Sequence, residues 1–458
     1  MAPLEVHTTS PVGGRQVSVR ADLIELMVLA WPVVLSRLGI MGMGLSDALV
    51  VGRYSATQLG YHALGWAPTS VIVTMVVGLL SGVQVMTSRA TGQGRPQLTG
   101  AILRRGLSYG LWIGLASSVV LVAVGPAFLH MLGLAPALAD GATGPLVIFS
   151  LSMPGYAFSI AASFWLEGLG RPKPAAALMW VANAVNLAVD LVLVPGTFGL
   201  PALGAVGGAW ATMAARTFLA VALLIYIVRM PDARALGVFD KPQRDLPAEA
   251  EQRRIGFGAG VSNFFEVASF AGMNVIAGWI GSLAVAAFAI SLNVISIVFM
   301  VPLGLATAAS VLVGRAHGAR DLAGVQRASW IAYGLTAAFA ALVTIIIWPL
   351  SVVICRGYTS DLATLAMAAP ALVICCVFLV PDALQVVCAQ TLRARGDVWL
   401  PSVAHLTSYV VVMSPLAYWL AIPMKLGVNG IVWAVVVASF VSAGLLLGRF
   451  QFLNQRGR

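Results

Sequence analysis

Apolar residues run through this chain in long unbroken blocks. They neither alternate with polar ones, as in a half-buried strand, nor keep to one stripe, as on a soluble helix. Twelve blocks are legible, centred near Leu35, Val76, Ile113, Ser152, Val185, Thr217, Ala271, Met300, Ala340, Cys376, Val411 and Ser439. Each is about twenty residues long, which is what an α-helix needs to cross a hydrocarbon layer of about 30 Å. A spanning segment must satisfy its own backbone hydrogen bonds, and a transmembrane barrel would instead show alternating segments of about ten residues. The pattern predicts an all-α polytopic membrane protein with twelve transmembrane helices.

One long hydrophilic stretch interrupts the blocks near the midpoint. Residues 229–254 hold Pro231, Pro242, Pro247 and eleven charged side chains, and read as a linker. It divides the chain into an N-lobe (1–228, spans 1–6) and a C-lobe (255–458, spans 7–12), and the two halves repeat one another. At an offset of 226 residues, Ser70 lies over Ser296, Gly78 over Gly304, Leu79 over Leu305, Arg89 over Arg315, Ala90 over Ala316 and Gly92 over Gly318. The same offset pairs Leu166 with Leu392 and Gly170 with Gly396, and "GAVGGAWA" matches "GVNGIVWA" at offset 223. Six spans per half give both halves the same orientation, so a pseudo-two-fold axis along the membrane normal should relate them, with substrate sites between or within the lobes. The GxxxG pairs Gly78–Gly82, Gly204–Gly208 and Gly256–Gly260 are expected at the closest helix contacts.

Composition adds orientation. Hydrophobic residues make up 59% of the chain and charged residues 10%, yet the net charge is +10. Of the 27 Lys and Arg residues, 22 fall in the N-terminal tail, the even-numbered connections and the C-terminal tail, Arg15, Arg244 and Arg458 among them. Only Arg53, Arg356 and Lys425 lie on the opposite side, and Arg37 and Arg216 fall within spans. The positive-inside rule places both termini in the cytoplasm of a bacterial inner membrane. The basic excess is thus accounted for by topology, and no nucleic-acid partner is expected. The first block is longer than a signal-peptide core and contains Pro32, Arg37 and Asp47, so no cleavable signal is expected. Cys355, Cys375, Cys376 and Cys388 form no CxxC pair and read as packing residues.

Four carboxylates stand where charge is costly: Asp47 in span 1, Asp190 in span 5, Glu266 in span 7 and Asp382 in span 10. The other thirteen read as tail, loop or span-end residues. Asn183, Asn186 and Asp190 are spaced to share one helical face, and Thr212 in span 6 can add a hydroxyl. Together they form an oxygen set suited to H⁺ or Na⁺, or else ordinary interhelical hydrogen bonding. Arg216, one turn after Thr212, is placed to neutralise Asp190. Glu266 has Asn263 one turn before it and Phe264 and Phe265 alongside. Asp382 has Gln385 one turn on and follows Pro381, which leaves the Val377 carbonyl without its helical donor. No Lys or Arg is read in the interiors of spans 7–12, so Glu266 and Asp382 rank first as a proton or Na⁺ site. His62, His130, His317 and His405 are scattered and form no ligand set.

The segments "WPVVLSRLGIMGMGLSDALVVGR", "GLGRPKPA", "FFEVASFAGMNVIAGWIGSLAVAAFAISLN" and "VPDALQVVCAQTLRARGD" resemble the multidrug and toxic compound extrusion (MATE) transporters, and the last two resemble their NorM-type branch. The likeness implies a V-shaped pair of lobes that alternate between inward and outward openings. It also implies export of organic cations and other drugs against Na⁺ or H⁺, with no cofactor beyond the coupling ion. By this resemblance Glu266 and Asp382 match the C-lobe carboxylates for cation and substrate, Asp47 matches the aspartate of span 1, and Asn186, Asp190 and Thr212 match an N-lobe cluster. Substrate contact is expected from Asp382, Glu266, Gln385, Asn263 and Phe265, a bound Na⁺ at Glu266 and Asp382, and function as a monomer surrounded by lipid. A flippase for a lipid-linked saccharide is the alternative. A membrane enzyme is disfavoured by the missing HExxH and the long internal repeat.

Overall fold

The computed structural model describes residues 19–131, 135–241 and 245–456. Arg15, Arg244, Arg458 and Pro242 lie outside the described residues. The chain is helical: α1 (Val19–Tyr54), α2 (Ala56–Gly92), α3 (Thr99–Met131), α4 (Pro136–Leu151), α5 (Met153–Gly168), α6 (Lys173–Leu193) and α7 (Ala205–Val228) precede the linker. α8 (Leu246–Ile280) begins within the stretch read as linker and takes in residues 246–254, and α9 (Ser282–Gly318), α10 (Leu322–Arg356), α11 (Leu362–Ala394), α12 (Trp399–His405), α13 (Ser414–Ala421) and α14 (Gly427–Arg456) follow.

Two of the twelve spans are broken. α4 and α5 meet at Ser152 with a 41° bend. Pro154 has no N–H to offer the carbonyl of Ser150, and the Ser118 hydroxyl of α3 donates to that carbonyl instead. α12 and α13 are joined by π-helical turns over Leu406–Met413, just before Pro415. Length and hydropathy alone mark ten helices and the bent pair as spans. α8 completes the twelve, diluted by Ser262, Asn263, Glu266, Asn274 and five glycines.

The repeat is visible in the packing. α3 and α10, which are repeat mates, are the most peripheral spans, each with 22% of its most apolar window buried. Large apolar side chains such as Trp112, Val119, Ile345 and Val353 are left facing outward, as lipid contact requires. α2 and α9 form the central pair. A Cβ on Gly92 would overlap the carbonyl of Arg315, and one on Gly318 would overlap the carbonyl of Arg89. The reciprocity extends outward: Gly78 abuts Gly260 of α8, and its mate Gly304 abuts Val34 of α1, again 226 residues apart.

Of the three expected GxxxG pairs, Gly78–Gly82 and Gly256–Gly260 close on one another across the lobes, while Gly204 and Gly208 pack inside the N-lobe on Gln58, Val51 and His62. These interlobe contacts fall on the arginine-rich half of the helices. Further along, Gly44 of α1 and Gly272 and Gly278 of α8 have open space where a Cβ would be. Because a Cβ at Gly256 would overlap the Leu79 carbonyl, Gly256→Ala must push α8 off α2. It is expected to cost about 1–3 kcal/mol, read as a lower melting temperature of the purified protein.

The first part of the linker is not a free tether. Met230, Ala233 and Leu236 are buried, the N–H of Gly100 donates to the Leu236 carbonyl at 2.8 Å, and Arg104 donates to the Val238 carbonyl at 2.9 Å. Arg171 holds Asp232 at 2.7 Å and keeps its carboxyl below the usual range. All four cysteines are buried.

Candidate functional site

A cavity of about 280 Å³ lies between the lobes at mid-span. α2 contributes Thr74, Ser81 and Gln84, α8 contributes Asn263 and Glu266, and α1 contributes Arg37. Glu266 is the one acidic side chain lining it among the described residues, and it remains 19% exposed. Asn263 donates to the Thr74 carbonyl across the lobes at 3.3 Å. Asp382, Gln385 and Phe265 are not among the lining residues.

Asp382 sits behind the cavity in a polar pocket of the C-lobe. Its Oδ1 accepts long hydrogen bonds from Tyr409 at 3.5 Å and Ser439 at 3.3 Å, and Ser442 donates to Gln385 at 3.4 Å. The π-helical turns carry Tyr409 into this pocket, with its ring 5.5 Å from that of His405. His405 Nδ1 shares a 2.8 Å hydrogen bond with Ser262 and lies 3.9 Å from Glu266 Oε2. A π-turn is a common device for re-aiming side chains at a site. Tyr409 and His405 thus link the Asp382 pocket to Glu266 on the cavity wall.

The reading that spans 7–12 hold no interior cation needs correction. Arg393 is 2% exposed and lines the same cavity as Glu266. It sits in the last turn of α11, where hydropathy alone reads a connection.

In the N-lobe, α1, α6 and α7 bring the expected cluster together. Asp47 accepts from Asn186 at 2.8 Å and from Thr212 at 2.6 Å, and Ser46 donates to Asn186 at 2.9 Å. Asp190 is fully buried, and neither of its carboxyl oxygens has a hydrogen-bond partner among the described residues. Asn183 turns away, donating to its own helix at Met179. His62 stands 3.8 Å from Asp47. Each carboxylate cluster thus has a histidine beside it, which the scattered positions in the chain conceal.

Arg216 does not neutralise Asp190. It donates to Ser152 at 2.7 Å and lies over Tyr156 at 4.7 Å and Trp66 at 5.3 Å. Nor is Glu167 a span-end residue in contact with water. It is 2% exposed, lies 3.5 Å from Arg37 and accepts from Gln84 at 3.1 Å. Glu167→Gln would leave Arg37 without its counter-charge and is expected to cost about 3 kcal/mol. Arg37→Leu combined with Glu167→Leu should cost less than that single change, as thermal melting would show.

At the arginine-rich end, repeat-related arginines fasten each lobe to the other. Arg89 of α2 donates to the carbonyls of Ala394 at 3.0 Å and Arg393 at 3.2 Å, and pairs with Glu251 at 2.8 Å. Arg315 of α9 donates to the Leu169 carbonyl at 2.9 Å and pairs with Glu25 at 3.1 Å. Glu25 and Glu251 are themselves 226 apart. The guanidinium groups complete the free carbonyls at the C-termini of α5 and α11, where the helix dipole favours a cation. Gly170 (φ 76°) and Gly396 (φ 95°) turn the chain there, and a Cβ on Gly170 would strike Arg315. Asp22 and Arg327 add a third bridge between the lobes.

Two repeated six-span lobes around a largely apolar cavity at mid-span, into which Glu266, Arg37 and Arg393 project, define a carrier of the two-lobed transporter class. The sequence matches the MatE family over residues 32–192 and 259–419, and the chain belongs to that family. It is 60% identical to a probable multidrug resistance protein NorM of Caulobacter vibrioides, over 96% of this chain and 93% of that one. A probable multidrug resistance protein NorM of Rhodopseudomonas palustris is 32% identical, over 95% and 93% of the two chains. Among solved structures, the eukaryotic MATE transporter AtDTX14 superposes with a TM-score of 0.87 at 18% identity, covering 95% of this chain and 96% of that one.

Proposed function

We propose that this protein is a multidrug efflux antiporter that exports organic cations and other drugs in exchange for Na⁺ or H⁺. It is a monomer in the bacterial inner membrane, with the arginine-rich end and both termini in the cytoplasm. The reading rests first on Glu266, the one carboxylate among the described residues that a molecule in the central cavity meets directly. Asp382, one layer behind, shares that charge environment and is held by weak donors that a cation can replace.

A cationic drug and the coupling cation then compete for the Glu266–Asp382 charge. Cation binding favours the state that releases drug, because a ligand shifts an equilibrium only by its differential affinity. The Asp47–Asp190 pair, closed away from the cavity, serves as a second cation or proton site. The arginine clasps hold the cytoplasmic end shut in the outward-open half of the cycle. Arg37 and Arg393 on the cavity wall are what a lipid-linked saccharide flippase would use, and they keep that second reading in play.

The test is efflux of a fluorescent organic cation from reconstituted vesicles under an imposed Na⁺ gradient or an imposed pH gradient. Efflux driven by either one is the expected result. No response to either gradient would remove the antiport reading and favour the flippase.

A further inference from the structure

At the arginine-rich end the internal repeat is broken in one place. On one side of the α2–α9 contact, Asp22 of α1 and Arg327 of α10 bridge the lobes. Their mates 226 residues away are Ala248 of α8 and Ala101 of α3, which cannot pair. A cavity of about 540 Å³ lies there, with both alanines on its wall. The other wall residues also depart from the repeat. Arg105 stands where the C-lobe has Ile331, and Arg320 where the N-lobe has Gly94. Gly94 and Arg320 both take a left-handed backbone, at φ 68° and φ 58°. Glycine does so freely and arginine only against the crowding of its Cβ, so this guanidinium is kept at a steric cost. The Nε of Arg105 is buried without a hydrogen-bond partner, and neither Arg105 nor Arg320 joins an ion pair among the described residues. The acids on the wall are already engaged. Glu251 pairs with Arg89 at 2.8 Å, and Asp245 accepts from the N–H of Ala248 at 3.2 Å, capping α8. Two unpaired guanidinium groups, one from each lobe, where a bridge is missing, have the chemistry of an oxyanion site.

We propose that this cavity binds a phosphate group between Arg105 of α3 and Arg320 at the end of α9, so that the ligand supplies the bridge that Ala101 and Ala248 lack and holds the arginine-rich end closed. An anionic lipid headgroup and free phosphate both present this chemistry. The site shares no lining residue with the central cavity. Its effect on closure rests on the alternating-access reading, and its binding of phosphate does not.

The probes are inorganic phosphate, set against chloride at equal ionic strength, and dioleoyl phosphatidylglycerol, set against dioleoyl phosphatidylcholine. Each is titrated into the delipidated protein in detergent while the melting temperature is followed. A ligand of the folded state raises that temperature once its concentration passes the dissociation constant. A rise with inorganic phosphate identifies free phosphate as a ligand, and a rise with phosphatidylglycerol alone identifies a lipid headgroup. In either case Arg105→Gln and Arg320→Gly should each move the onset to about tenfold higher concentration, the scale of one charge-assisted hydrogen bond. Arg320→Gly also relieves the left-handed backbone, so without ligand it should melt no lower than the unsubstituted protein. It decides the matter if Arg105→Gln does not fold. Ala101→Arg with Ala248→Asp, which copies the bridge of the other side, should abolish the response. No rise with either probe, or an onset unmoved by both arginine variants, overturns the site. Failure of the antiporter reading would appear elsewhere, as absent gradient-driven flux despite intact phosphate binding.

Discussion

Asp382→Asn is expected to lower cation-driven drug efflux about 100-fold or more while the protein still folds and inserts. The substitution keeps shape and volume, and its amide oxygen can still accept from Tyr409 and Ser439. What disappears is the negative charge of Asp382, which Tyr409 and His405 link to Glu266. Removing one member of a desolvated charge set costs about 2–5 kcal/mol, and about 2.7 kcal/mol is a factor of 100. Vesicles with equal amounts of each protein, checked for a single sharp elution peak, supply the comparison. Efflux at the unsubstituted rate would sink the assignment of coupling to the C-lobe and leave Asp47 and Asp190 as the coupling pair.

Arg89→Ala together with Arg315→Ala is expected to shift the conformational balance about 100-fold toward opening at the arginine-rich end. The ion pairs themselves contribute little, because Glu251 and Glu25 are 41% and 50% exposed and such pairs are worth at most about 1 kcal/mol. The hydrogen bonds to the helix-end carbonyls carry most of the effect, at about 1.5–3 kcal/mol for each charged donor. Two clasps lost together give at least about 3 kcal/mol. Spin labels on Gln93→Cys and Ala319→Cys, at the ends of α2 and α9, report the separation of the lobes. The clasped protein should give one short distance, and the double variant a large second population at longer distance. An unchanged distribution would mean that the glycine contacts alone hold this end together.

Much of the architecture is legible in the sequence. Apolar blocks of spanning length are unambiguous, and matched residues at constant offset reveal a repeat whatever the fold. Carboxylates such as Asp47, Asp190, Glu266 and Asp382 were conspicuous for the same reason: each interrupts an apolar run. Glu167 and Arg393 were not, since both lie where a span gives way to a connection and polar residues are ordinary. Their burial comes from the opposite lobe and from neighbouring helices, which no local pattern records. The π-helical turns that aim Tyr409 and place His405 depend on how a chain relaxes ahead of Pro415, and periodicity shows only an apolar run there. Arg89 and Arg315 were visible as repeat mates, but that each reaches into the other lobe follows only from the close approach of α2 and α9.

Antiport requires the drug to move the cation as surely as the cation moves the drug, because coupling between two ligands is reciprocal. The most direct measurement is therefore made with no cation gradient imposed. Vesicles are loaded with the fluorescent cation and diluted into drug-free buffer, and uptake of radioactive Na⁺ or of protons is followed as the drug leaves. The account predicts uptake of one of the two ions in proportion to the drug lost, and none in vesicles bearing Asp382→Asn. Drug leaving at full rate with no movement of either ion would contradict it.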